Sequence, residues 1–400
     1  MKFIERGTSK YKQTVLAFFA AGFNTFAILY VVQPILPDLT TFYNVTPTAA
    51  SLSLSVTTFT LAISMLFFGS LSETVGRKNI MITSMLVASL LCILTAFSPT
   101  FSSLFVMRAI QGVALAGLPS IAMAYLGEEI HPTSLPGAMG LYISGNALGA
   151  VFGRVFAGLA AGLWSWQVGV IGVGVVSLIA TVIFWYSLSP SQHFTKREFN
   201  LLSLLKTLAA HIKNPLLVIL FVMGFLLLGT NVSVYNYVSF VLIEDYQVSQ
   251  TIVSWIYLIF LVGVLSSMIS GRLVYQFGKT TMLYTAFIIS ISGLLILLIP
   301  SLIAVIIGLV MFTFGFFIAH SLTSGWVGSI AHNNKAQASS LYLFFYYTGS
   351  SVGGTLAGLF WGMAGWYGVS LMNISFLVLG LMLYMTFLYL LKRRIWHFKI

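Results

Sequence analysis

Apolar runs of about twenty residues, the length that crosses a bilayer as a helix, alternate with short polar breaks along the whole chain. The pattern predicts six spans at roughly 14–36, 48–70, 79–98, 101–126, 137–162 and 165–187. A polar connector follows at 188–213, and six more spans are expected at roughly 215–242, 249–271, 280–299, 302–328, 336–360 and 366–391. The breaks carry turn or helix-stop pairs such as Pro37-Asp38, Ser98-Pro99, His131-Pro132 and Ile299-Pro300. The connector is basic, and Phe199, Leu201, Leu202, Leu205 and Leu208 predict a short amphipathic helix on a membrane surface.

The pattern repeats at half length. Leu141 to Trp166 matches Leu341 to Trp366 at nine of 26 positions, among them Tyr142/Tyr342, Gly149/Gly349, Gly153/Gly353, Gly158/Gly358, Gly162/Gly362 and Trp166/Trp366. Small residues at four-residue spacing favour close helix approach inside a membrane. Duplicated halves are how carriers build a site near the middle of the bilayer. The expected fold is therefore an all-α membrane protein of twelve transmembrane helices. Its expected divisions are a six-helix bundle over 1–187, a cytoplasmic linker over 188–213 and a second six-helix bundle over 214–400. Arg154 faces Gly354 across the repeat, and that departure draws attention to function.

Composition narrows the class further. Hydrophobic residues make up 58% and charged residues 7% of the 400, which leaves no surface suited to a soluble protein. The net charge of +11 has no soluble face on which to build a nucleic-acid footprint. It sets topology instead. With the amino end inside, 17 of the 19 Lys and Arg fall in inner loops and tails (Lys2, Lys196, Arg197, Arg394 and Lys399 included), and the other two, Arg108 and Arg154, lie within spans. The positive-inside rule then puts both termini in the cytoplasm. All eight tryptophans, from Trp164 to Trp396, fall near proposed span ends, where amphipathic rings collect. The single Cys92 allows neither an intrachain disulfide nor a cysteine metal site. The basic start before span one reads as an uncleaved anchor, because the apolar run exceeds a signal-peptide core.

Buried charge supplies the candidate chemistry. An Arg inside a span is costly and normally faces the bundle interior with a partner. Arg108 and Arg154 either brace neighbouring helices through carbonyls or line a solute path, with Asn24, Gln33, Gln111 and Asn146 as neutral partners. A titrating group is needed for ion coupling, and Asp38 and His320 are the candidates. In the second half Asn231 and Tyr235 share a helix face, and Tyr346 and Tyr347 add aromatic surface. Arginines opposed to rings suit an amphipathic organic molecule. No phosphate loop, nucleophile elbow or His/Glu metal spacing occurs, so neither an enzyme nor a cofactor is expected. A channel would need a continuous polar pore with rings of like groups, and the duplicated halves speak against it.

Several stretches carry a family resemblance. Gly69-Ser-Leu-Ser-Glu73-Thr-Val-Gly76-Arg77-Lys78 resembles the loop G-x-L-a-D-r-x-G-r-k of the major facilitator superfamily, with Glu73 in place of Asp and Thr74 in place of Arg. A weaker copy runs from Gly271 to Lys279, and Arg108-Ala-Ile-Gln111-Gly112 resembles the family's R-x-x-q-G. Gly145 to Gly149 with Gly153-Arg154 is similar to the drug/proton antiporter helix without its Gly-Pro pair. Together with Ala319-His320-Ser321 and Gln337 to Leu343, it resembles the bacterial arabinose-efflux-like branch. The resemblance implies a monomeric secondary transporter of the cytoplasmic membrane that works by alternating access. Proton-coupled efflux of a drug-like compound is the first expectation, and export of a sugar metabolite or import of an organic anion the alternative. It also implies a cytoplasmic gate: Gly69 and Gly76 in a tight turn, Arg77 or Lys78 pairing with Glu128 or Glu129, and Glu73 meeting the other half.

Overall fold

The computed structural model describes residues 3–193, 201–331 and 333–397. Lys2, Lys196, Arg197, Phe199 and Lys399 lie outside the described residues, as do the side chains of Leu201, Arg394 and Trp396. The described chain is helical almost throughout; a single bridge between Ile4 and Ile130 is its one β contact. By length and composition eleven helical stretches suffice to cross a membrane. The last of them holds two helices, because Ala364 and Gly365 leave helical geometry inside it, so the described residues contain the twelve expected spans.

The chain forms two compact units, Met1–Phe199 with Leu242–Tyr257, and Asn200–Val241 with Leu258–Ile400. The first contains α1 (Ser9–Tyr30), α2 (Leu36–Tyr43), α3 (Pro47–Val75), α4 (Arg77–Thr95), α5 (Phe101–Leu115), α6 (Pro119–Glu129), α7 (Leu135–Leu163) and α8 (Trp166–Ser187). α1 stops at Tyr30 because Pro34 and Pro37 withdraw the amide donors that would continue it. A turn tied by Gln33 N–H to the Tyr30 carbonyl (3.1 Å) and Ile35 N–H to the Val32 carbonyl (3.2 Å) leads to the short α2. α3 continues through Gly69, which is a helix residue near the Ser120 carbonyl rather than part of a turn. Only Gly76 turns the chain. Its φ of 108° suits a residue without a Cβ, and α4 begins at the next residue.

The second unit contains α9 (Leu201–Ile212), most of α10 (Pro215–Glu244), α12 (Phe260–Phe277), α13 (Lys279–Ile296), α14 (Leu302–Ile330) and α15 (Lys335–His397, kinked). α9 is the helix expected of the connector, with Leu208 buried and Leu202, Leu205 and Ile212 exposed. Between α10 and α12, α11 (Gln250–Ile256) belongs to the first unit.

The duplicated glycines explain the frame. On α7 a Cβ at Gly145, Gly149 or Gly153 would run into the backbone of Phe19, Phe23 or Ala27 on α1. On α15 one at Gly349 or Gly353 would run into Phe225 or Gly229 on α10. Both units thus pack a glycine face against the first span of their own half at backbone distance.

Candidate functional site

At the basic end of the first unit Arg77 forms a two-pronged pair with Glu128: Nε donates to Oε2 at 2.7 Å and Nη2 to Oε1. Lys78 donates to the Leu188 carbonyl instead of a carboxylate. Glu129 is buried and takes the start of the connector. Its Oε1 accepts from Ser191 Oγ (2.5 Å), Gln192 N (2.6 Å) and His193 N (2.8 Å). The His193 ring lies against Oε2 at 3.2 Å and stacks on Phe3 at 4.8 Å. Glu73 is half-buried on α3.

Arg108 is fully buried on α5 and takes the bracing geometry. Nη2 donates to the Leu29 carbonyl (2.9 Å), Nε to Ser53 (3.2 Å), and Nη1 to Ile28 (3.2 Å) and to Gln111 Oε1 (2.5 Å). Gln111 in turn donates to the Ala88 carbonyl at 2.9 Å. Asn24 Nδ2 reaches Ser89 Oγ (2.8 Å), the Ser177 carbonyl (2.8 Å) and Thr181 Oγ1 (3.1 Å). These three expected solute-binding side chains therefore tie α1 to α3, α4, α5 and α8. A buried cation is tolerated in this way, through hydrogen bonds to three backbone carbonyls and an amide oxygen.

Arg154 is built differently. It is buried on α7, its guanidinium 3.8 Å above the Tyr30 ring, with Nε donating to Gln33 Oε1 at 2.6 Å and Nη1 to the Ala150 carbonyl at 2.8 Å. An amide side chain and a phenol face join a carbonyl in holding the charge here. Asn146, two turns back on α7, lies against Gly22 of α1. Asp38 sits in the first turn of α2, past the end of α1. Its Oδ2 is buried without a hydrogen-bond partner among the described residues, and burial pushes the carboxyl up to about 6.

In the second unit α14 and α15 bring rings together. His320 stacks on Tyr346 with centroids 4.3 Å apart, and its Nδ1 lies 3.0 Å from the Tyr342 hydroxyl. Phe316 lies nearly parallel on the His320 ring at 6.2 Å. Tyr347 meets Tyr346 edge to face at 5.5 Å. On α10 Tyr235 bonds Thr313 Oγ1 at 2.6 Å and packs on Phe260 at 4.2 Å. One turn away Asn231 is buried with Nδ2 unbonded among the described residues. Tyr342, Thr313 and Phe316 escaped the sequence reading as site residues. Tyr342 was visible only as a repeated residue, and nothing in the sequence marks the other two out from packing.

Among the described residues no group of His, Cys, Asp or Glu could hold a metal ion.

A duplicated membrane bundle with buried charge in one unit and stacked rings in the other has the build of a solute carrier. The family model of the Major Facilitator Superfamily matches residues 14–354, and the chain belongs to that family. It is 55% identical over 380 residues to an uncharacterised MFS-type transporter of Bacillus subtilis, YybF, covering 95% of this chain and 94% of the relative. It is 39% identical over 382 residues to the inner membrane transport protein YnfM of Escherichia coli, covering 95% and 92%. Its fold matches a bacterial homologue of the human lysosomal transporter Spinster, in an inward-facing and occupied conformation, with a TM-score of 0.76 at 14% identity over 95% of this chain and 97% of the other. The protein is a multi-pass membrane transporter, and both relatives and fold are those of carriers rather than enzymes.

Proposed function

We propose that the protein is a secondary transporter that exports a small amphipathic organic compound in exchange for protons, by alternating access. The observation that carries this reading is the ring stack of His320, Tyr346 and Tyr342. Planar aromatic surface beside hydrogen-bonding tips suits a solute with an apolar body and a few polar groups. Asn231, with its buried Nδ2 unbonded among the described residues, and Tyr235 one turn on add polar groups within the same unit. In the first unit Arg154 on Tyr30 and Gln33 is a candidate solute contact of its own. Asp38 is the coupling group: burial moves its titration to about 6, inside the working range of a proton carrier. The direction of transport rests on the resemblance to the efflux branch. Cytoplasmic termini follow from the distribution of Lys and Arg. The pair of Arg77 and Glu128 serves as a contact that forms in one state of the cycle and breaks in the other.

The reading is tested with the purified protein in vesicles carrying a pH gradient, screened with amphipathic dyes. Gradient-driven flux of such a dye, weakened in Tyr346→Ala, is expected; flux indifferent to the gradient would remove proton coupling. An organic anion is the second reading, favoured by the buried cation of Arg154. A carboxylated dye carried in preference to its neutral ester would move the assignment to that class.

A further inference from the structure

Charge divides unevenly between the two units. All eight Asp and Glu of the chain fall in the first unit, and the second, with nine Lys and Arg, has none. Topology does not ask for this, because the positive-inside rule acts through Lys and Arg and acids contribute little to it. In the first unit Arg77 pairs with Glu128. Lys279, 202 positions on from Arg77, instead lies 3.9 Å over the Trp326 ring, and Arg393 lies 4.8 Å over Tyr389. Ring faces hold such cations without neutralising them. The second unit therefore keeps a positive charge that no acidic group of its own balances.

α9 gives part of that charge an apolar bed. Leu202, Leu205, Ala209 and Ile212 recur at helical spacing and so share one face, and all four are exposed. Lys206 and Lys213, about two turns apart and also exposed, run along the edge of the same face. Leu208 and His211 are buried away from it, and the helix packs on α15. Only Lys213 and Asn214 separate α9 from Pro215, where the first span of this half begins. A leucine stripe edged with lysines, held where a span enters the bilayer, has the build of a helix that lies among lipid headgroups.

We propose that this face of α9 binds anionic phospholipid: the leucines enter the acyl boundary, and Lys206 and Lys213 take the phosphates. An acidic headgroup supplies the negative charge that the unit lacks. The proposal requires a membrane protein and is independent of solute, coupling ion and direction of transport.

Lipid titration tests it without any solute. The purified full-length protein in detergent is titrated with phosphatidylglycerol and, separately, with phosphatidylcholine, and bound lipid is counted by native mass spectrometry. Tighter binding of phosphatidylglycerol is expected. Lys206→Gln and Lys213→Gln should each raise its Kd about five-fold, the worth of one cation at an anionic surface, while Lys206→Arg keeps it. Lys12→Gln removes the same charge from an exposed position of the first unit and should leave the Kd unchanged. Leu205→Ser should weaken both lipids alike. Equal binding of the two lipids by the wild type, or a Kd raised as much by Lys12→Gln as by the α9 variants, would overturn the proposal. Protein dimers that Leu205→Ser dissociates, with no preference between the lipids, would give the face to a second copy of the chain and overturn it as well.

Discussion

The two halves of the chain share a frame and differ in what they hang on it. In the first, α7 lays Gly149 and Gly153 on Phe23 and Ala27. In the second, α15 lays Gly349 and Gly353 on Phe225 and Gly229. A shift of 200 residues relates the glycines and one of 202 relates their partners, and the latter carries Gln33 onto Tyr235. Where the first half has Arg154 bonded to Gln33, the second has Gly354, and Tyr235 turns its hydroxyl to Thr313 on α14. The backbone contacts have been kept because any Cβ would part the helices. The neighbouring side chains were free to diverge, and they split into a charged cradle and an aromatic one. The proposed function rests on those departures from the repeat.

The sharpest way to break this comparison is to exchange the roles of the two buried arginines. Arg108→Leu takes their side-chain donor from the carbonyls of Ile28 and Leu29, at about 1–3 kcal/mol each, while the Ser53 carbonyl keeps the Thr57 hydroxyl. The melting temperature of the purified protein is expected to fall by about 2–7 °C. Arg154→Leu should melt close to the wild type and lose transport. Equal melting curves for the two variants would mean that Arg154 is a brace as well.

The frame itself predicts a smaller and symmetric effect. Gly153→Ala and Gly353→Ala each force backbones apart and should cost about 1–3 kcal/mol, read as two similar drops in thermal stability. A loss confined to one variant would show that only one glycine face carries its unit.

Much of this organisation was legible in the sequence. Spans, connector and repeat follow from apolar length and glycine spacing, which a membrane enforces strictly. Charge at the ends of adjacent spans points to Arg77 or Lys78 meeting Glu128 or Glu129, and the structure pairs Arg77 with Glu128. The fate of Arg108 could not be read, because its partners are carbonyls, which every residue has. The role of Gly69 was misjudged because α3 runs on one and a half turns past it before Gly76 reverses the chain. Nor does the sequence show that Gln250 returns to the Pro34 carbonyl, since that contact joins residues 216 apart.

The aromatic cradle sharpens the comparison at the level of affinity. Tyr346→Ala removes the ring on which His320 lies, and an aromatic contact is worth about 0.5–1.5 kcal/mol. The KM for an amphipathic dye should rise up to about ten-fold, while Tyr346→Phe keeps the ring and stays near the wild type. If both raise KM equally, the hydroxyl rather than the face binds the solute.

Asp38 gives the smallest effect and the one with a sign that can be checked. Its carboxyl titrates at about 6 in the fold, against about 4 for an unperturbed aspartate. The native state therefore holds this proton more tightly than the unfolded chain. The resulting stabilisation is complete below about pH 4 and is lost as pH rises through about 6. Above that the wild type carries a buried carboxylate oxygen without a partner among the described residues, and Asp38→Asn does not. The variant is expected to melt a few degrees higher than the wild type at pH 8, with the gap closing towards pH 4. In vesicles the same substitution should flatten the dependence of transport on pH around 6. A variant that melts higher at pH 8 but keeps the wild-type transport profile would separate the two roles. The buried carboxyl would then be a local cost to the fold, and coupling would pass to His320 in the other half.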